Sequence, residues 1–247
     1  MYKYSGFVTV RVQSSRLPYK CMIKLSGKTV LENIFERCLN DGIIPILCTT
    51  DLKSDDILEK IAEENNVKIF RGSNKNKIKR WVECAKYFDI DFFHTIDADD
   101  PFFDPNLVKS SFDLIYSKNL DFVLPSVYSS DGGGSVGYSI KTKVLENIVK
   151  NLDEDADTEM IQGYIDFAKY KTEIIDEDPG IDYQIRLTLD YEEDFYLLDY
   201  ITRVLGPNPA RKEIIKLFKR NPDLHKINFF RNQQWKSKQN NQISSIH

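Results

Sequence analysis

Two stretches carry residue types that could do chemistry. Residues 11–20 read RVQSSRLPYK, a concentration of cations and hydroxyls in a chain of formal net charge −4. Arginine offers a fixed fork of donors and lysine a mobile point charge. With the hydroxyls of Ser14 and Ser15, Arg11, Arg16 and Lys20 could hold phosphate oxygens. An ordinary charged turn is the other reading of the same letters. Residues 96–101 read IDADDP, and Asp97, Asp99 and Asp100 are hard oxygen donors of the kind Mg2+ prefers. In an extended segment Asp97 and Asp99 project to one side and Asp100 to the other. A further carboxylate, Asp190, ends IRLTLD, where it either meets a metal or caps the helix that follows. Neither GxxxxGKS/T nor GxGxxG is present, so neither standard phosphate-binding glycine loop explains the cations.

The elements around these stretches decide whether they can meet. GFVTVRV (6–12) reads as a strand. TVLENIFERCLND (29–41) is a helix with Thr29 as N-cap and Glu32 at capping-box spacing. GIIPILCTT is a strand with Pro45 near its start, and SDDILEKIAEENN a helix capped by Ser54. VKIFRGS, NKIKRWVECAKYF and DFFHTID continue as strand, helix and strand. The order βαβαβαβ implies a mostly parallel sheet with helices on both faces. In such a sheet ligands sit beyond the carboxyl ends of the strands. Three polar clusters fall there: the 11–20 loop, Arg71-Gly72-Ser73, and Asp97 to Asp100. Further on, SSDGGGSVGYSI is a glycine-rich turn entering a strand, IQGYIDFAKY reads as a helix, YQIRLTLD as a strand, and YEEDFYLLDYITRVLG and RKEIIKLFKR as helices. His94, inside an apolar strand, reads as structural. The whole is expected to form one domain over residues 1–240, with an arm within 125–185 and a frayed tail at 241–247.

Composition excludes several classes. A chain of 247 residues with 41% hydrophobic and 12% aromatic residues is globular rather than disordered. Net charge argues against general nucleic-acid binding, although nine Lys/Arg face two Asp/Glu from Arg211 onward. That basic end is either a solvated helix and loose terminus or a polyanion contact. Four cysteines without CxxC spacing and three histidines form no zinc pattern. With no 18-residue apolar run and no signal-like start, a soluble, reducing, cytoplasmic setting is expected, without membrane partners.

Taken together, these stretches resemble the cytidylyltransferases that activate acidic sugars. They are most similar to the spore-coat-polysaccharide branch, and more distantly to the 3-deoxy-manno-octulosonate and acylneuraminate enzymes. The family's first strand and its R…SSRLPxK loop stand here as Arg11 to Lys20. VKIFRGS (67–73), NKIKRWVECAKYF (76–88), IDADDPFFDP (96–105), RLTLDYEEDFYLL (186–198) and NPDLHKIN (221–228) follow in order, covering nearly the whole chain.

The resemblance implies a three-layer α/β/α Rossmann-like nucleotidyltransferase fold and often a homodimer. It places CTP on Arg11, Ser14, Ser15, Arg16 and Lys20, with Arg71 and Gly72 near the nucleotide or acceptor. It places Mg2+ on Asp99 and Asp190, and makes Arg16, Lys20 and Asp99 the catalytic groups. The implied reaction moves CMP from CTP to an acidic sugar or related anionic acceptor and releases pyrophosphate. Gln13 and Tyr19 stand where the family usually has glycine, and its REH-like segment appears only as Thr158-Glu159-Met160. Two other readings remain open at this point: a sugar-nucleotide glycosyltransferase using Asp97-Ala98-Asp99 as its DxD motif, and a catalytically inactive nucleotide-binding or scaffold protein.

Overall fold

A computed structural model describes residues 4–14, 16–153 and 155–244. Strand β1 (Ser5–Thr9) alternates its side chains between two cores, Phe7 facing one and Val8 the other, as a strand covered on both sides must. It stops at Thr9, short of the expected Val12. The Val12 N–H leaves the ladder and donates to the buried carboxylate of Asp55 at 2.9 Å. A small ribbon, β2 (Lys24–Leu25) with β3 (Lys28–Thr29), delivers the chain to α1 (Val30–Asn40). There the Thr29–Glu32 capping box forms in both directions.

Strand β4 (Ile44–Thr50) carries Pro45 at its second position, where a missing N–H disturbs the ladder least. Helix α2 (Asp56–Glu64) does not begin at a Ser54 cap. Ser54 lies in a preceding 3-10 turn, Lys53–Asp55, and Asp55 holds the cap position without capping. Its carboxylate is committed elsewhere, to Val12 N–H and the Thr50 hydroxyl. Strand β5 (Lys68–Gly72), α3 (Lys77–Tyr87), capped by Asn76, and β6 (Phe92–Asp97) complete the expected alternation. Then come α4 (Pro105–Lys118), β7 (Phe122–Leu124), α5 (Val127–Ser130), β8 (Ser139–Lys141), α6 (Thr142–Val149), β9 (Thr172–Ile174), α7 (Glu192–Leu205), α8 (Arg211–Arg220) and α9 (Arg231–Ser244).

The main sheet has the order β5-β4-β1-β6-β8-β7-β9. Its β5-β4-β1-β6 part is parallel, β8 runs antiparallel to β6 and β7, and β9 is parallel to β7. Helices α1, α2, α4, α7 and α8 pack on the face holding Val8, Leu47 and Ile96. Helices α3 and α6 pack on the face of Phe7, Ile46 and Phe93. This is the expected α/β sandwich. The connections out of β1 and β6 part in opposite directions, so a crevice opens at the carboxyl ends of these two neighbours.

Three local expectations differ. IQGYIDFAKY is not an α-helix but two 3-10 turns, Ile161–Gly163 and Phe167–Lys169, because Ile161 and Ile165 turn into the α3–α6 core while the chain bends around it. YQIRLTLD is extended but pairs with no strand. It is pinned by Leu187 N–H donating to Gly132 O and Leu189 N–H to Asp99 O, both at 2.7 Å. Residues 241–244, expected to fray, belong to α9, whose first half is anchored by buried partners described below; residues 245–247 lie outside the described set.

Candidate active site

The 11–20 loop is closed by its own backbone. Tyr19 N–H donates to Val12 O at 3.3 Å, and Val12 is tied by Asp55 to the end of β4. Tyr19, in the place of a family glycine, adopts φ 56° and is exposed. The left-handed conformation is therefore kept by a residue for which it costs about 1–2 kcal/mol. Loop closure aims Arg16 and Lys20 inward.

Lys20 Nζ lies between two carboxylates, donating to Asp99 Oδ2 at 2.6 Å and Asp190 Oδ1 at 2.7 Å. Arg16 donates to the same Asp190 oxygen at 2.7 Å. Burial alone would push Lys20 toward neutrality, but Asp99 and Asp190 outweigh it and raise its pKa. The Asp190 carboxyl, fully buried, is held below the usual range because Lys20 and Arg16 overcome the same desolvation.

Asp190 does not cap α7. Asp194 does so instead, accepting from the N–H groups of Asp190 at 2.8 Å and Tyr191 at 2.9 Å. Asp194 in turn receives a bidentate pair from Arg186, at 2.8 and 3.0 Å. Arg186 is fully buried and donates also to Asn232 at 3.1 Å. Glycine is required beside this hub. A Cβ on Gly132, at φ 90°, would lie 2.6 Å from Asn232 Oδ1.

The three acidic residues after β6 do not continue as a strand. Ala98 N–H donates to Thr9 O and Asp100 N–H to Asp97 O, so the chain turns. Asp97, Asp99 and Asp100 consequently line one cavity, rather than splitting two against one. Burial raises the Asp97 carboxyl to about 6, with Asp99 and Glu159 adding to it against Lys77. Asp100 is raised as well by burial, and accepts from the Thr188 hydroxyl.

The cavity, of about 280 Å³, sits over the β1/β6 crevice. It gathers Arg11, Ser14, Arg16, Lys20, Asp97 and Asp99. Asp190 reaches it through its bonds to Arg16 and Lys20. Ser15 lies outside the described residues. Arg71 and Gly72 are not brought to this cavity. The Arg71 guanidinium faces α2, bound to Glu59 at 2.7 Å, Asp56 at 2.8 Å and the carbonyls of Thr50 and Leu52. Gly72 borders a separate shallow cleft with Ser73 and Lys75.

Several wall residues were not singled out from the sequence. Lys77 and Arg11 flank Glu159, each at 3.8 Å, and Lys77 holds that carboxyl below its usual range. Arg80 binds Ser73 O at 2.6 Å, and Trp81 Nε1 donates to Thr9 Oγ1 at 2.9 Å. Arg186 carried a legible signal, a cation inside the apolar run IRLTL. Glu159 stood in the Thr158-Glu159-Met160 segment and Lys77 in the 76–88 block, but nothing in the sequence signalled that these two, 82 residues apart, would pair.

The donor set suits one hard divalent cation shared with a substrate. Asp99 and Asp190 converge on a single positive charge, and Asp190 Oδ2 is buried without a hydrogen bond. Among the described residues no group of three or more His, Cys, Asp or Glu forms a metal cage. Mg2+ is commonly held by just one or two carboxylates plus substrate phosphates. His94 takes no part; it is buried, bonded to Ser139 Oγ at 2.8 Å and to Val136 O, and burial lowers its pKa to about 4.

A parallel α/β crevice holding a cationic loop opposite convergent carboxylates defines a nucleotidyltransferase. A family model described as cytidylyltransferase matches residues 6–184, and the chain belongs to that family. Its reaction is thus CTP-dependent transfer of CMP, which sets aside the glycosyltransferase and inactive-scaffold readings. The chain is 25% identical over 228 residues to the spore coat polysaccharide biosynthesis protein SpsF of Bacillus subtilis, covering 87% of this chain and 94% of that one. It is 23% identical over 224 residues to a 3-deoxy-manno-octulosonate cytidylyltransferase of Christiangramia forsetii, covering 89% and 78%. A solved cytidylyltransferase structure from Leptospira borgpetersenii shares the fold, with a TM-score of 0.79 at 24% identity over 91% of this chain and 97% of that one. No helix among the described residues is long and apolar enough to cross a membrane.

Proposed function

We propose that this enzyme transfers CMP from CTP to an acidic sugar or related anionic acceptor, releasing pyrophosphate with the help of Mg2+. The observation that carries this reading is Lys20 bridging Asp99 and Asp190, with Arg16 on the same oxygen. Triphosphate oxygens compete for Arg16 and Lys20, and as these turn to phosphate the two carboxylates are freed. Asp99 and Asp190 would then hold Mg2+, which supplies charge neutralisation at the α-phosphate when bound. Arg11 and Ser14 extend the grip on the nucleotide, and Ser15, next in the sequence, is assigned the same role.

The acceptor oxygen attacks the α-phosphorus in line. The bond to the bridging oxygen breaks, and pyrophosphate leaves with the electron pair. Arg16 and Lys20 stabilise charge on the departing group. An acceptor oxygen that is already ionised has no proton to lose and needs no strong general base, which suits a cavity whose lining holds no histidine among the described residues. The acidic acceptor is supported by the similarity to the 3-deoxy-manno-octulosonate enzyme. The reading includes a cytoplasmic homodimer, in keeping with four free, buried cysteines; light scattering checks the dimer.

The test is pyrophosphate release from CTP and Mg2+ with a panel of acidic sugars and sugar phosphates, run beside Asp99→Ala. Turnover with CTP but not UTP or ATP, abolished by the substitution, supports the reading. Nucleotide-blind turnover, or a fully active variant, overturns it.

A further inference from the structure

The cavity is electrically two-sided. Toward β1, β6 and α3 its wall consists of charged side chains, Arg16 and Lys20 with Asp99, and Lys77, which draws Glu159 toward it from the segment before the Ile161–Gly163 turn. Toward α5, β8, the Ile161–Gly163 turn and α9, its polar groups are neutral: Ser130, Ser135, Tyr138, Gln162, Trp235 and Gln239. Hydroxyls, amides and aromatic faces match sugar hydroxyls and the apolar faces of sugar rings, whereas a second polyanion would find no counter-charge there. Two of these groups are already positioned. Gln162 Nε2 donates to the Tyr138 hydroxyl at 2.8 Å, and the Tyr138 ring stacks on Phe167 at 5.9 Å.

Helix α9 supplies the remaining part of that wall, and its seat is built rather than loose. The Arg186 guanidinium lies 5.3 Å from the Trp235 ring and binds Asn232. Asn232 Nδ2 donates to Asp131 O at 3.2 Å, and Arg231 forms a bidentate pair with Glu193 at 2.7 and 3.0 Å. Trp235 and Gln239, one turn apart, therefore face the cavity together. The residues matched by the family model end at 184, well before this helix.

We propose that the neutral wall binds the uncharged, polyhydroxylated body of the acceptor, with Trp235 and Gln239 of α9 as specificity-determining residues. This rests on the CMP-transfer reading and deepens it. The acceptor is a glycosyl or polyol compound with one acidic reacting group, which lies on the ionised side.

Cytidine nucleotides that already carry such a body test it without knowledge of the natural acceptor. Dissociation constants for CTP, CMP, CMP-N-acetylneuraminate and CDP-glycerol are measured by calorimetry with Mg2+ on the wild type, Trp235→Ala and Gln239→Ala. At least one conjugate should bind tenfold or more tightly than CMP. Each substitution should cut that advantage at least fivefold and leave CMP and CTP within twofold. Should Trp235→Ala disturb the seat of α9, the Gln239→Ala result stands alone. Equal wild-type binding of CMP and both conjugates overturns the inference, as does a loss shared by CMP and CTP. Absence of CTP binding in the wild type is a different result, removing the transferase reading and this inference with it.

Discussion

The backbone N–H of Asp190 donates to the Asp194 carboxylate at 2.8 Å, so the cap of α7 is made by the later aspartate and the earlier one keeps its side chain for the site. Asp194 also neutralises Arg186, which is wholly buried and whose nearest other carboxylate oxygen, on Asp190, is 3.6 Å away. Removing one partner of a buried pair leaves an uncompensated charge. Asp194→Ala should therefore cost about 3–5 kcal/mol. Urea unfolding reads this directly, and a loss below about 1 kcal/mol would contradict the hub described here.

Asp99→Ala should abolish turnover, by at least about a hundredfold in kcat, while leaving the fold intact. Asp99 is partly exposed, and its side chain pairs with Lys20. Near-UV circular dichroism and pyrophosphate release measured on one preparation separate the two effects. A variant that loses both would mean that Asp99 is structural.

Lys20→Arg should not restore what Lys20→Ala loses. Lys20 reaches two carboxylates with one compact ammonium at 2.6 and 2.7 Å, and a planar guanidinium cannot occupy that point. Steady-state kinetics should show both variants impaired in KM for CTP as well as kcat. Wild-type kinetics in Lys20→Arg would show that only positive charge matters at this position.

Tyr19→Gly should be close to neutral in stability. Relief of the left-handed backbone, about 1–2 kcal/mol, is offset by the roughly 0.5–1 kcal/mol of extra chain entropy that glycine loses on folding. Thermal unfolding checks this, and a large destabilisation would mean that the exposed ring holds the loop.

His94 sets an acid limit. Its pKa falls from 6.5 to about 4 on burial, so between those values the unfolded chain binds the proton that the folded chain refuses. Its contribution is intact above pH 6.5 and is lost as pH falls toward 4, by roughly 3 kcal/mol in all. Asp97, raised from 3.8 to about 6, acts with the opposite sign, its contribution being present below 3.8 and lost as pH rises through 6. The difference between wild type and His94→Gln isolates the histidine. That difference, from urea unfolding at pH 4 to 7, should shrink as pH falls; a constant difference would remove the assignment.

Much of the fold was legible because it is written in local periodicities. The capping box at Thr29 and Glu32, the apolar strands around Phe7, Leu47 and Phe93, and the polar clusters at their carboxyl ends all follow from neighbours in the chain. Where local rules failed, a distant group had claimed the residue. Asp55 was drawn from capping by Val12, and Ser54 was displaced with it. The acidic run after β6 turned because Ala98 found the carbonyl of Thr9. Arg71, next to a strand end as expected, was taken by Glu59 and Asp56 on α2.

The sequence by itself determined the alternation of strand and helix, and with it the edge on which Arg11, Arg16, Lys20, Asp97 and Asp99 must fall, since strand direction and side-chain period are properties of the local chain. Tertiary structure alone decided that Lys20 stands between Asp99 and Asp190, that Asp194 rather than Asp190 caps α7, and that α9 forms one wall of the cavity. Those pairs are separated by up to 170 residues. Nothing in local composition encodes which buried cation a given carboxylate will meet. That choice follows from the desolvation of each charge in the folded interior, where it must be paired with whatever the topology brings within reach.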